Sequence, residues 1–244
     1  MKRLVILLAS ISFTLYGCKK AGVQTISWGE PKIEAEIVRV SVDGAFENHA
    51  SVEVWGTELI PVVVVNNETL EVIDENLNND YTYYTKFWKI VPGNVLNEME
   101  LTVYHTGGTA TSSAYLPNDY AIKVDDPLLR NNDLKIHWGI VDSANYYELT
   151  IKLQYEYNSG IGPTQTFKFD TSVITEDTSF TVSASRLFGD LTSDDEIKSG
   201  DCTIKLYAIN GLYPGRSLEG NIVGKGEGYF YAKNYRETKI SVSE

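Results

Sequence analysis

From Tyr146 to Tyr157 the chain alternates with a period of two. Tyr147, Leu149, Ile151, Leu153, Tyr155 and Tyr157 fall on one side, and Tyr146, Glu148, Thr150, Lys152, Gln154 and Glu156 on the other. Successive side chains of an extended strand point to opposite faces, so this segment reads as a strand with one face in a core. The same period returns along the chain. Ile33 to Val42 and Ala50 to Trp55 alternate in the same way, as do Leu134, Ile136 and Trp138 with Lys135 and His137 between them. Further on, Phe180 and Val182 form a short run, and Cys202, Ile204, Leu206 and Ala208 another. A helical period hardly appears, and the many Tyr, Val, Ile and Thr residues beside two Met suit strands better than helices.

Turn chemistry divides these strands. Asp43-Gly44, Asn76 to Asp80, Pro92-Gly93-Asn94 and Gly107-Gly108 break the first half, and Asn210-Gly211 is expected to turn in the second. Val62 to Val65, bounded by Pro61 and Asn66-Asn67, reads as a strand buried on both faces or central in a sheet. About seven strands within ~100 residues make residues 26–122 a β-sandwich, and residues 124–244 repeat the plan. The expected fold class is all-β, two tandem β-sandwiches, with Ala121 to Asn132 as a short connector.

The first residues are of another kind. Lys2 and Arg3 precede an apolar run, Leu4 to Tyr16, which is too short to span a bilayer and is followed at once by Lys19 and Lys20, so residues 1–17 read as an export leader. Leu15-Tyr16-Gly17-Cys18 resembles the lipobox of bacterial lipoproteins. That resemblance implies cleavage before Cys18, acylation of Cys18, and a membrane-anchored chain with residues 18–25 as a linker. The alternative is an ordinary secretory signal cut elsewhere. Three acyl chains anchor stably where one holds only marginally. Lys19 stands where the proteobacterial rule would place Asp for inner-membrane retention, so the resemblance implies the outer membrane. A lipidated Cys18 leaves Cys202 without a disulfide partner, and Cys202 then reads as a small buried apolar residue.

Charge narrows the partners. The formal charge is −12, and without Lys2 and Arg3 it becomes −14, from 19 basic and 33 acidic residues. Such a surface repels phosphate backbones, which argues against nucleic acid as a partner.

In the second half, Leu134 to Trp138, Ala144 to Leu149 and Thr203 to Gly211 together are similar to the fibronectin type III pattern over roughly residues 124–233. The resemblance implies that Trp138 packs beneath Tyr147 in the core. It also implies a departure, because Cys202 occupies the position of the tyrosine whose hydroxyl fixes the corner of that fold. The corner must then be held otherwise, with the insertion Ser185 to Gly200 as the candidate. The first half resembles immunoglobulin-like modules in its strand plan alone.

Candidate chemistry is sparse. Gly220 to Gly226 has three residues between its first two glycines and lacks the hydroxyl after Lys225 that a phosphate-binding loop needs, so it reads as a flexible turn before a strand Tyr229 to Ala232. Asp74, Asn76, Asn78 and Asp80 have calcium-loop spacing, but the glycine and the closing Glu are missing, which favours a solvated turn. His49, His105 and His137 lack zinc spacing. Asp125-Asp126 and Asp194-Asp195-Glu196 read as solvated carboxylates, and no Gly-x-Ser-x-Gly turn occurs. No catalytic residue, metal or cofactor is expected.

The candidate binding surface is aromatic. Tyr81, Tyr83, Tyr84 and Trp88, with Phe87, crowd one segment and Tyr229 and Tyr231 another, and alternation sends some of these rings outward. Such rings either stabilise a sheet through cross-strand pairs or form a platform for a partner. The leading expectation is a non-enzymatic, lipid-anchored protein-binding or scaffold module with an envelope protein as partner. The alternative is a carbohydrate-binding surface lipoprotein, whose partner is a glycan.

Overall fold

The computed structural model describes residues 30–42, 45–93, 97–160, 162–212 and 220–244. The leader, Cys18 and the linker 18–25 lie outside them.

The first half contains β1 (Lys32–Val42), β2 (Ala45–Thr57), β3 (Val62–Val65), β4 (Glu68–Thr69), β5 (Glu71–Leu77), β6 (Tyr83–Val91), β7 (Glu98–His105) and β8 (Gly108–Tyr115). The second contains β9 (Lys123–Val124), β10 (Leu128–Leu129), β11 (Leu134–His137), β12 (Tyr146–Ser159), β13 (Thr164–Thr175), β14 (Ser179–Val182), the short helix α1 (Ala184–Phe188), β15 (Asp195–Gly211), β16 (Val223–Gly224) and β17 (Glu227–Ser243). The fold is all-β, with two β-sandwich cores.

One large sheet serves both cores. Its order is β13-β12-β15-β17-β1-β2-β6-β5, with β10 added beside the end of β17. A five-stranded sheet, β16-β8-β7-β3-β4, and a three-stranded sheet, β14-β11-β9, complete the two sandwiches. The first core gathers Ile33, Val52, Val54, Val63, Phe87 and Leu101, and the second Ile136, Trp138, Tyr147, Leu149, Ile151 and Leu206.

The seam is β17. Its first half pairs in parallel with β1, from Lys32↔Glu227 to Arg39↔Asn234, while residues 231–241 pair antiparallel with β15. Its even-numbered side chains all point to the covered face. Phe230 and Ala232 therefore fill the first core, and Ile240 and Val242 the second. Between them Asn234 is fully buried, and its amide donates to the carbonyls of Pro117 (3.1 Å) and Asn118 (2.9 Å), which holds the segment just before the connector against the seam. Residues 124–244 are thus not self-contained, because the last strand returns to complete the first sandwich.

Three other expectations change. Val62–Val65 lies inside the five-stranded sheet, between β7 and β4, as one of the two readings expected, but it is buried on one face only: Val63 and Val65 are buried and Val62 is 49% exposed. Gly220 to Gly226 is built into the sheets instead of forming a free turn: Asn221 brackets the backbone of Phe230 through both side-chain atoms (2.7 and 2.8 Å), and β16 pairs with β8. Asn210 and Gly211 close β15 instead of turning it. There the Asn210 side chain accepts from the Tyr115 amide (2.7 Å) and donates to the Ser143 carbonyl (2.6 Å), tying the two sandwiches together.

The second core has the aromatic pair that the resemblance implies. Trp138 meets Tyr147 edge-on at 5.5 Å, and the Tyr147 hydroxyl accepts from the Val141 amide (3.0 Å). Cys202 is fully buried and makes no corner. Two other tyrosines return to backbone instead. Tyr155 donates to the Leu187 carbonyl of α1 (3.1 Å), inside the Ser185 to Gly200 insertion, and the Tyr120 hydroxyl lies 2.6 Å from the Leu206 carbonyl and 2.9 Å from that of Asn234.

Candidate functional site

Both small sheets cover the same face of the large one, so among the described strands its opposite face is bare. The strand registers place its side chains in rows. Trp88, Ser51, Glu36 and Tyr231 form one row across β6, β2, β1 and β17. Lys86, Glu53, Glu34 and Tyr229 form the row beside it. Ile90, His49, Val38, Lys233, Ile209 and Tyr146 form a third that continues across β15 to β12.

Of the six aromatic residues singled out above, four share this face. Tyr84 and Trp88 project from β6, and Tyr229 and Tyr231 from β17. At a strand spacing of about 4.8 Å, the two groups stand three strands, or roughly 14 Å, apart. Tyr83 lies half-buried on the other face, with Thr85 and Phe87, because one residue along a strand reverses the side chain. Tyr81 belongs to neither face. It sits 75% exposed in the turn before β6 with a positive φ.

The structure adds rings that spacing alone does not join. On β2, Trp55 packs with Tyr84 at 5.4 Å and His49 meets Trp88 edge-on at 5.7 Å. On β15 and β17, Tyr207 and Tyr235 lie 5.0 Å apart. Tyr146, Ile209 and Tyr231 form a third buried cluster, with Tyr207 and Tyr229 against it. The available signal was alternation on β15, where Tyr207 and Ile209 fall opposite Leu206 and Ala208.

At the centre lies Lys233, only 8% exposed. Its ammonium is 5.2 Å from the Tyr207 ring and 5.1 Å from that of Tyr231, with Glu36 at 3.5 Å and Glu148 at 3.9 Å. Two carboxylates and two ring faces compensate the desolvation of the charge. Burial, with Glu148 and Glu36 adding repulsion, raises the pKa of Tyr207. Away from the centre, Lys86 pairs with Glu53 (2.8 Å) and Lys32 with Glu34 (3.0 Å), and Lys32 also lies over Trp55. The hydrogen bond and charge of Glu53 raise the pKa of Lys86. On this face Trp88 is exposed while Tyr146 and Tyr231 are buried, and the charges beside them are paired within the sheet.

Elsewhere the polar candidates serve the fold. Asp80 accepts from the Thr82 amide (3.2 Å) and hydroxyl (2.7 Å), so its carboxylate closes an Asx turn before β6, whereas Asp74 and Asn76, expected in that turn, lie in β5. Asp126 holds the amide (3.0 Å) and hydroxyl (2.8 Å) of Ser241. Asp195 holds those of Thr192 (2.6 and 2.8 Å). Among the described residues no three His, Cys, Asp or Glu side chains converge as metal ligands.

No protein-family model and no curated protein sequence matches the chain. Among solved structures, it is similar to the full ectodomain (Ig1–Ig3) of mouse nectin-like molecule 4, at a TM-score of 0.27 and 10% identity over 88% of this chain. The match spans 64% of that ectodomain, less than two thirds of its length.

Proposed function

We propose that this chain is a non-enzymatic, lipid-anchored envelope module that binds a partner protein through the bare face of its nine-stranded sheet. Cys18 carries the anchor in this reading, and the outer membrane is its place. The observation that supports it most is the one-sided cover. Two small sheets lie on one face and none of the described strands on the other, where rings from both sandwiches meet. Aromatic anchors among satisfied polar groups are what protein interfaces use at their centres. Trp88, 38% exposed, offers such an anchor.

The test is capture from native envelopes by the intact lipidated chain, beside a glycan array probed with the same chain. Stoichiometric recovery of one envelope protein, lost with Trp88→Ala and with Tyr84→Ala while the array stays blank, is the expected result. Saturable glycan binding that Trp88→Ala abolishes would replace this reading with carbohydrate capture.

A further inference from the structure

The nine-stranded sheet ends at β13, and among the described residues this edge has no bulge and no covering strand. Its twelve residues, Thr164–Thr175, pair with β12 from Asn158↔Thr164 to Tyr147↔Thr175 without a register break. They contain neither Pro nor Gly, and no described strand pairs with the outer side. A long, regular edge of Thr, Phe, Val and Ile presents free backbone donors and acceptors to any strand of matching pattern.

The edge carries two charges, Lys168 and Asp170, both on the bare face of the large sheet. Asp170 pairs loosely with Lys152 at 3.7 Å, with both side chains well exposed. Lys168 has no ion pair among the described residues. Two copies of β13 related by a two-fold axis perpendicular to the sheet must pair antiparallel, with like faces together. Centred on Phe169, this register sets Lys168 opposite Asp170 of the other copy, twice by symmetry. It also sets Thr166 opposite Ser172, and overlaps nearly the whole strand. Centring on Lys168 or on Asp170 instead places like charges opposite each other, which is destabilising. Charge and length therefore select the same register.

We propose that β13 is a self-association edge, at which two copies of this chain join their large sheets antiparallel about Phe169. The bare faces of both copies then lie on one side of a continuous sheet. Arg186, over the Phe169 ring at 5.1 Å, and the half-buried inner side chains of β13 keep the opposite side covered near the axis.

The test uses the full chain in detergent and a short bis-maleimide. Thr166→Cys and Ser172→Cys are both on exposed positions, and the parent chain without an added cysteine sets the background. A mixture of the two variants is expected to give a covalent dimer, while each alone stays at background, because only 166 and 172 of different copies are opposed. Adding Lys168→Asp to both partners should lower the dimer yield about tenfold or more, and Lys168→Asp with Asp170→Lys should restore it. Circular dichroism of each variant confirms that the β-signal is retained. A mixture that stays at background, either variant cross-linking alone, or a yield indifferent to Lys168→Asp would overturn the proposal.

Discussion

Phe230→Ala tests whether the two sandwiches are one folding unit. Phe230 is fully buried in the first core, yet it belongs to the strand that also carries Ile240 and Val242 into the second. Its backbone stays bracketed by the Asn221 side chain, so the substitution removes the ring and leaves the strand in place. Loss of a fully buried Phe side chain, cavity included, costs about 3–5 kcal/mol. For a unit of 150–250 residues each kcal/mol lowers Tm by ~2–4 °C, so a drop of roughly 6–20 °C is expected. Scanning calorimetry should show one transition before and after the change, moved as a whole. Ile240→Ala, in the other core, should move the same transition. Two resolved transitions, of which Phe230→Ala lowers one and Ile240→Ala the other, would refute the shared-strand reasoning. So would a loss below about 1 kcal/mol in guanidinium titration of Phe230→Ala, since that falls outside the range for a buried ring.

Residues 26–122 expressed alone lack Phe230 and Ala232, and should give no cooperative thermal transition, whereas the full chain gives one. Tyr155→Phe leaves the buried Leu187 carbonyl without its donor and should cost about 1–3 kcal/mol by urea titration. Burial, with Asp201 adding repulsion, pushes the Cys202 thiol up to about 12. At pH 8 its thiolate is then roughly 10³-fold scarcer than that of a free cysteine, and labelling by iodoacetamide should be negligible until guanidinium unfolds the chain. Hydrogen bonds from Ser159 and then Thr192 hold the Asp195 pKa below its ordinary value. A depressed carboxylate contributes stability that is present above its unfolded pKa and lost as pH falls through the folded one. Asp195→Asn should therefore flatten the acid limb of the stability–pH curve below about pH 4, read as denaturant midpoints.

The strands most legible in the sequence are those with a single buried face. β1, β2, β11 and β12 alternate along their length because water lies on one side and a core on the other. Trp138 against Tyr147 was implied by the fibronectin type III resemblance and not by alternation. β17 hides itself. The expected strand is Tyr229 to Ala232, and it stops short of the polar run Lys233, Asn234, Tyr235, Arg236 and Glu237. They continue the strand because the seam supplies partners for polar groups on both faces: rings and carboxylates for Lys233, the Pro117 and Asn118 carbonyls for Asn234. β5 is hidden in another way, since Glu71–Leu77 is exposed throughout and its register is set by β6, not by any burial of its own. The aromatic surface was legible by residue type and only partly by face. Tyr84 and Trp88 differ by an even number and share a side, whereas Tyr83 does not. That Tyr229 and Tyr231 join the same face depends on the parallel pairing of β1 with β17, a contact between strands nearly 200 positions apart that local pattern cannot reveal.

That long-range pairing also decides what kind of platform the bare face is. In two sandwiches joined by a connector alone, rings on one would swing relative to rings on the other, and a partner touching both would have to order them on binding. Here Trp88 and Tyr207 belong to one hydrogen-bonded sheet, through β6, β2, β1, β17 and β15 in turn. A hinge between them would have to strip β1 from β17 or break β17 at Lys233 and Asn234, where both side chains are buried and engaged. The geometry of the face is fixed by folding, so a partner of the kind proposed would meet an ordered surface and lose correspondingly little conformational entropy there. Affinity should therefore follow the integrity of β17 more closely than the length of the connector, even though β17 contributes only two of the four candidate rings.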